Sequence, residues 1–251
     1  MKDKLRTLYT VLVCLMAPRF AKPWLLNQVG HAVHASARIG LSFVMGTRLF
    51  MGPQTAIGWF NLIACRRLVM RDLAYIGRMN VIKGRVTIRL ASRAAIGNRN
   101  SVICGGFDLN RTRPSHLILG TLTKITAGHY VECGESIVWG KFGTLAGVGC
   151  QMWTHGFVHA ETGEGRSFIR GRITIGDNVY IGAHSVIAAG VRIGDAIAVG
   201  AHSSVASDLV EPGVYVSAPL KHIARPSQDR LSRLKTLDDG SYWKGEQAPR
   251  N

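Results

Sequence analysis

The sequence predicts an all-β fold, a parallel solenoid in which the chain winds through short strands and corners. Three observations predict it. Branched apolar residues recur six apart in the C-terminal half, at Ile175, Ile181, Ile187, Ile193, Val199 and Val205. A small residue follows each: Gly176, Gly182, Ala188, Gly194, Gly200 and Ala206. Four places after each branched residue stands another apolar or small one: Val179, Ser185, Val191, Ile197, Ser203 and Leu209. A period of six fits neither an amphipathic helix nor a simple alternating strand. It fits a unit that makes a short strand, turns and repeats, and such a unit buries its inner face only by stacking on its neighbours.

Each position of the hexad has a physical reason. The first residue is branched and apolar, which suits an inward place on a strand. The second is small because the chain bends there and leaves little room for a Cβ. The fifth points inward again. Three hexads make one triangular coil of 18 residues, so Ile175 should stack under Ile193 and Ile187 under Val205, at the strand spacing of about 4.8 Å. The N-terminal half carries the same beat with slips. Ile39-Gly40, Met45-Gly46, Met51-Gly52 and Ile57-Gly58 read as four hexads in one phase. An I-G-x-x-N signature then recurs at Ile57–Asn61, Ile76–Asn80 and Ile96–Asn100, with spacings of 19 and 20. That is one coil plus one or two residues at a corner. Spacing does not set the hand of the coil, and the usual crossover rule favours a right-handed one.

The ends differ from the middle. Lys2, Lys4 and Arg6 precede an apolar run from Leu8 to Ala17, too short to cross a bilayer. Asp3 and Thr10 argue against a cleaved signal, so residues 1–34 read as a helical cap or a membrane-surface helix. The solenoid is expected over 35–225, with an excursion at 156–172 and a tail over 226–251. The tail should be helical for a turn or two from Arg230 and frayed beyond Gly240. An apolar content of 47% supports a sizeable core. Five cysteines without zinc-ligand spacing read as reduced thiols in small inward positions, which suits a reducing cytoplasm. The formal net charge of +16 favours anionic partners. No nucleic-acid motif accompanies it, which leaves CoA phosphates, anionic glycans and an anionic membrane surface.

The beat breaks between Gly156 and Arg172, where Gly163, Gly165 and Gly171 mark a loop ejected from the coil. Trp153-Thr154-His155-Gly156 stands just before it, and an excursion beside a histidine is a natural place for a site. The run I-T-I-G-D-N-V-Y-I-G-A-H-S-V-I from Ile173 to Ile187 resembles the hexapeptide-repeat acyltransferases of O-acetyltransferase type. The resemblance covers about Ala35 to Arg225. It implies a left-handed parallel β-helix, a homotrimer, acetyl-CoA as acyl donor bound between subunits, and no metal.

It also implies roles for particular residues. A T-H pair before such an excursion carries the catalytic base, which places His155 there. Neutral imidazole, with an ordinary pKa of about 6.5, is suited to taking a proton from a hydroxyl. A carboxylate often holds the other ring nitrogen of such a base, and Glu132 is the first choice for this, Glu135 the second. His129, Trp153 and His159 are candidate acceptor contacts. The pantetheine arm of the donor is expected at Gly182-Ala183 and Gly200-Ala201, with Lys221 and Arg225 meeting the CoA phosphates. The end of the solenoid reads Ser217-Ala218-Pro219-Leu220-Lys221, where the family often has G-N-P-A-[KR], so Pro219 and Lys221 match while the Gly and Asn do not.

The expected activity is acetyl-CoA-dependent O-acetylation of a glycan, polysaccharide precursor or sugar, in the cytoplasm or at the inner membrane face. An N-acyltransferase acting on an amino sugar is the nearest alternative. A zinc hydratase of γ-carbonic-anhydrase type would need three converging histidines, whereas only His184 and His202, 18 apart, should share a face. A non-enzymatic scaffold is the remaining class.

Overall fold

The computed structural model describes residues 2–105, 114–217, 234–236 and 242–244. It divides into two units, Met1–Ser217 and Ala218–Asn251. In the second, Leu234–Thr236 pairs antiparallel with Tyr242–Lys244. Residues 230–233, where the expected helix begins, and both Lys221 and Arg225 lie outside the described residues; where that helix would continue, and beyond Gly240 where fraying is expected, the described residues are paired strands instead.

The first unit is the expected hexapeptide-repeat solenoid. Three parallel faces begin with Ala32–Val33, Arg38–Ile39 and Phe43–Val44. The second face is a nine-stranded parallel sheet. The first and third join into one 14-stranded sheet, because Leu62–Met70 and Val81–Leu90 run unbroken round the corner between them. The stacking follows the beat: Ile175 pairs with Ile193, Ile181 with Val199 and Ile187 with Val205. Further back, Ile39, Ile57, Ile76 and Ile96 stack in one column. Spacing grows from 19 to 20 where the register shifts between Cys65 and Arg67.

The hexad positions are filled for the reasons expected, with one slip. Ile175, Ile181, Ile187, Ile193 and Val199 are buried, as are Val179, Ser185, Val191, Ile197 and Ser203. A Cβ on Gly182 would lie 2.6 Å from the backbone nitrogen of Ala201, so the second place is small because the next coil fills it. Met45 is the exception. It is exposed, and Val44 is the buried residue of that coil, one place earlier than the Met45-Gly46 reading puts it. Four of the five cysteines are buried and all are free thiols.

The asparagines of I-G-x-x-N form a buried ladder at the corner between the second and third faces. Asn80 receives the Asn100 N–H on its Oδ1 at 2.9 Å, and its own amide donates to Asn61 Oδ1 at 2.9 Å and to the Gly97 carbonyl at 2.8 Å. The ladder continues from Asn100 to His129, whose N–H donates to Asn100 Oδ1 at 3.0 Å. The next rung is Cys150, whose N–H donates to His129 Nδ1 at 3.1 Å. Each rung satisfies a backbone group that the corner removes from the sheet ladder.

Two helices, α1 (Lys2–Met16) and α2 (Lys22–Asn27), precede the first coil. They bury Val13, Cys14 and Leu26 on the solenoid core. Lys22 is buried, and its Nζ donates to the carbonyls of Cys14 and Gly40, tying helix to coil. Burial holds its pKa below the usual lysine value. His31, in the loop after α2, accepts the Leu49 N–H on Nδ1 and sits 2.9 Å from Thr10 Oγ1 through Nε2.

Candidate active site

The site forms where the third face hands over to the first. Gln151–Met152 ends the third-face strand. The chain then leaves the coil as a two-stranded antiparallel hairpin, His155–His159 with Arg166–Arg170. It returns at Gly171, whose N–H donates to the Thr154 carbonyl at 2.9 Å. The excursion expected over 156–172 is therefore an ordered ribbon, with Thr154 and Gly171 as its closed base.

His155 is the first residue of that ribbon. Its Nδ1 lies 3.0 Å from Glu132 Oε2, with side-chain exposures of 14% for the histidine and 4% for the glutamate. Glu132 ends the strand Tyr130–Glu132 in the coil below. Its carboxylate is surrounded by donors. Oε1 accepts the Gly134 N–H at 2.6 Å. Oε2 accepts the Thr154 N–H at 3.2 Å and the Thr154 hydroxyl. A Cβ on Gly134 would lie 2.6 Å from Glu132 Oε1, so any side chain two residues after the glutamate would push the carboxylate out of this position. Thr154 is fully buried and also receives the Glu135 N–H at 2.8 Å. A carboxylate accepts only, so the Nδ1 facing it carries the proton. The lone pair then sits on Nε2.

Aromatic rings wall the histidine. Trp153 meets its ring edge-on at 6.3 Å between centroids and packs on Tyr130 at 5.0 Å. Phe157 and Phe168, on facing strands of the ribbon, lie 6.4 and 5.6 Å from the imidazole and 5.1 Å from each other. Arg166 lies over the Phe157 ring at 5.2 Å, and Arg170 sits 3.8 Å from Glu135. Alternation along a strand puts His155, Phe157 and His159 on one side of the ribbon. His159 is exposed near its far end, roughly 13 Å from His155 at strand rise.

The structure thus brings together Glu132, Trp153 and His155, and places His159 on the same side of the ribbon. It gives His129 a different situation. His129 is buried in the corner ladder, with Nδ1 taken by Cys150 N–H and Nε2 2.9 Å from Thr126 Oγ1. Burial lowers its pKa to about 4, which keeps the ring neutral. Both nitrogens are used inside the protein, so a substrate-binding role for His129 is not supported by its geometry. The sequence reading passed over Thr154, Gly134, Tyr130, Phe157 and Phe168. Only the first left a signal, as half of the T-H pair.

The expected donor turns lie at another corner. Gly182-Ala183 and Gly200-Ala201 stack between the second and third faces, and His184 and His202 follow them with rings stacked at 5.0 Å and 9°. One side of the triangle, about six residues or roughly 20 Å of extended chain, separates this corner from His155 within one chain. Among the described residues, no group of three or more His, Cys, Asp or Glu side chains is placed to hold a metal. No described helix is long and apolar enough to cross a membrane.

No protein-family model and no curated protein sequence matches the chain. Solved structures do. The polysialic-acid-specific acetyltransferase NeuO shares 18% identity over 72% of this chain and 84% of its own, with a TM-score of 0.46. The polysialic acid O-acetyltransferase OatWY shares 15% over 84% of this chain and 94% of its own, also with a TM-score of 0.46. A variant of AntD, an N-acyltransferase from Bacillus cereus solved with a nucleotide-linked amino sugar and coenzyme A, shares 20% over 67% and 86%, with a TM-score of 0.32. At these identities and scores the similarities carry no argument about what this chain does, and its chemistry rests on its own residues.

Proposed function

We propose that the chain is an acyl-CoA-dependent O-acyltransferase that acetylates a hydroxyl of a glycan, polysaccharide precursor or sugar. The observation that carries this reading is the pair of Glu132 Oε2 and His155 Nδ1 at 3.0 Å, at the closed base of the ribbon. A buried carboxylate fixes the imidazole tautomer and leaves Nε2 as the basic atom. Nε2 takes the proton of the acceptor hydroxyl as its oxygen forms a bond to the thioester carbonyl carbon. The tetrahedral intermediate collapses, the carbon–sulfur bond breaks, and the departing thiolate takes the proton back from Nε2. Glu132 stabilises the imidazolium between the two transfers. No covalent acyl-enzyme is needed.

The pantetheine arm of the donor is assigned to Gly182-Ala183 and Gly200-Ala201. Those turns and His155 occupy different corners of one chain, and the proposed assembly is a homotrimer in which a corner of one copy meets a corner of the next at a shared donor. Trp153 and His159, beside and beyond the base, are assigned to the acceptor. The cytoplasm, where acyl-CoA is made, is the proposed location. Acceptor-dependent release of CoA thiol from acetyl-CoA tests the reading, and hydroxylamine lability of the product separates an O-ester from the amide an N-acyltransferase would make.

A further inference from the structure

The N-terminal helices carry an apolar surface that the solenoid does not cover. On α1, Leu5, Leu8, Leu12 and Met16 follow one another at spacings that share a helix side, with exposures of 69, 56, 46 and 78%. Phe20 and Trp24 extend the strip at 87 and 66%. The other side of α1 has its own work: Tyr9, Val13 and Cys14 pack on the core, as does Ala17 just past its end. The outward strip therefore does nothing for the fold of this unit. A row of exposed large apolar side chains on one helix marks an interaction surface.

Charge decides what covers it. Lys4 and Arg19 stand exposed beside the strip. Arg19 and Arg38 line an open cleft of about 360 Å³ that also includes Phe20 and Ser36. The chain as a whole carries a net charge of +16. A second copy docking through the same strip would bring these cations together, whereas an anionic surface would neutralise them. The 15 residues of α1 reach about 22 Å, short of a hydrocarbon core of about 30 Å, so the helix lies along an interface rather than through it.

We propose that α1, Phe20 and Trp24 form a peripheral docking surface for a bilayer of anionic phospholipid. The apolar strip dips below the headgroups, while Lys4, Arg19 and Arg38 meet lipid phosphates. The inference does not rest on the acyltransferase reading. The third-face strands step from Phe43–Val44 through Leu62–Met70, Val81–Leu90 and Ser101–Ile103 to Tyr130–Glu132. At the strand spacing, roughly 19 Å separates the docking end from Glu132.

Co-sedimentation of the whole chain with phosphatidylcholine vesicles, with and without phosphatidylglycerol, tests it. Binding is expected only with phosphatidylglycerol and should fall as salt rises. Lys4→Ala with Arg19→Ala should weaken it about 30-fold. Leu8→Gln with Leu12→Gln should weaken it at least about tenfold. Both pairs are exposed, so the urea midpoint should hold, and any activity on a soluble acceptor should not change. Equal binding to neutral vesicles, no pelleting with phosphatidylglycerol, or binding untouched by the leucine pair would overturn the proposal. A particle mass that falls with the leucine pair in the absence of lipid would overturn it too, by identifying a second copy as the occupant.

Discussion

Replacing Glu132 with glutamine tests the site at its most constrained atom. Every polar group around the carboxylate donates: the Gly134 N–H to Oε1, and the Thr154 N–H, the Thr154 hydroxyl and His155 Nδ1 to Oε2. A glutamine must turn its NH2 toward one of the two sets. Facing Oε2's partners, it would set one donor against three. Facing Gly134, it sets one against one, so that orientation wins. The cost is a half-buried backbone N–H with no acceptor, about 1 kcal/mol or more. Three charge-assisted bonds to Oε2 also become neutral ones and lose about half their strength. We expect a stability loss of about 2–4 kcal/mol. The tautomer of His155 survives, because the amide oxygen still faces Nδ1, but the imidazolium loses its carboxylate. Transfer should slow by about 10- to 100-fold, equivalent to roughly 1.4–2.7 kcal/mol. Urea unfolding and CoA-thiol release measure the two effects separately. A glutamine variant with wild-type stability and wild-type turnover would refute the account of Glu132 as an acceptor in a ring of donors.

Two further predictions concern the corner ladder and the buried histidines. Asn80→Ala leaves the Asn100 N–H without its acceptor and removes two donated bonds, to Asn61 Oδ1 and the Gly97 carbonyl. Urea unfolding should show a loss of about 3–5 kcal/mol, and a loss below about 1 kcal/mol would count against the ladder. His31 and His129 are both held to a pKa of about 4, chiefly by burial, against about 6.5 in the unfolded chain. The unfolded state therefore binds more protons between those values. The stability that neutral histidine contributes is complete above about pH 6.5 and lost as pH falls toward 4. The urea midpoint should decline through that window, and His129→Gln should flatten the decline while lowering the plateau. A slope unchanged by the substitution would rule this out.

The repeat was legible because hexad positions are filled by stacking geometry, which acts at every coil. Ile175, Ile181 and Ile187 lie inward and one coil below Ile193, Val199 and Val205, as a period of six and a coil of 18 demand. Met45 misled because methionine tolerates an outward place while the branched Val44 beside it fills the core. The glycine after each branched residue was read correctly as a small position. At Gly182 the occupant of the space is the next coil, which explains the residue without any ligand. Asn61, Asn80 and Asn100 were visible as a motif, but their work needs three coils in register and so appears only in the fold. The same ladder claims His129, which looked in sequence much like His155. What separates the two histidines is a carboxylate brought from the coil below, together with the break in the beat. Glu132 was within reach of the sequence because it lies a little over one coil upstream of His155; the register that brings it there appears only in the fold. Thr154, Gly134 and the facing phenylalanines Phe157 and Phe168 act through hairpin pairing and turn geometry, which leave no periodic trace.

Acyl transfer through His155 is most directly tested by thiol release from acetyl-CoA over a panel of sugars and lipid-linked glycans, run with the wild-type chain and with His155→Ala. The account predicts acceptor-dependent release by the wild type and a fall of about 10²-fold or more in the variant, with the urea midpoint and calorimetric CoA binding unchanged. A folded His155→Ala protein that turns over at the wild-type rate, or a wild-type chain that releases no thiol with any acceptor, would contradict it.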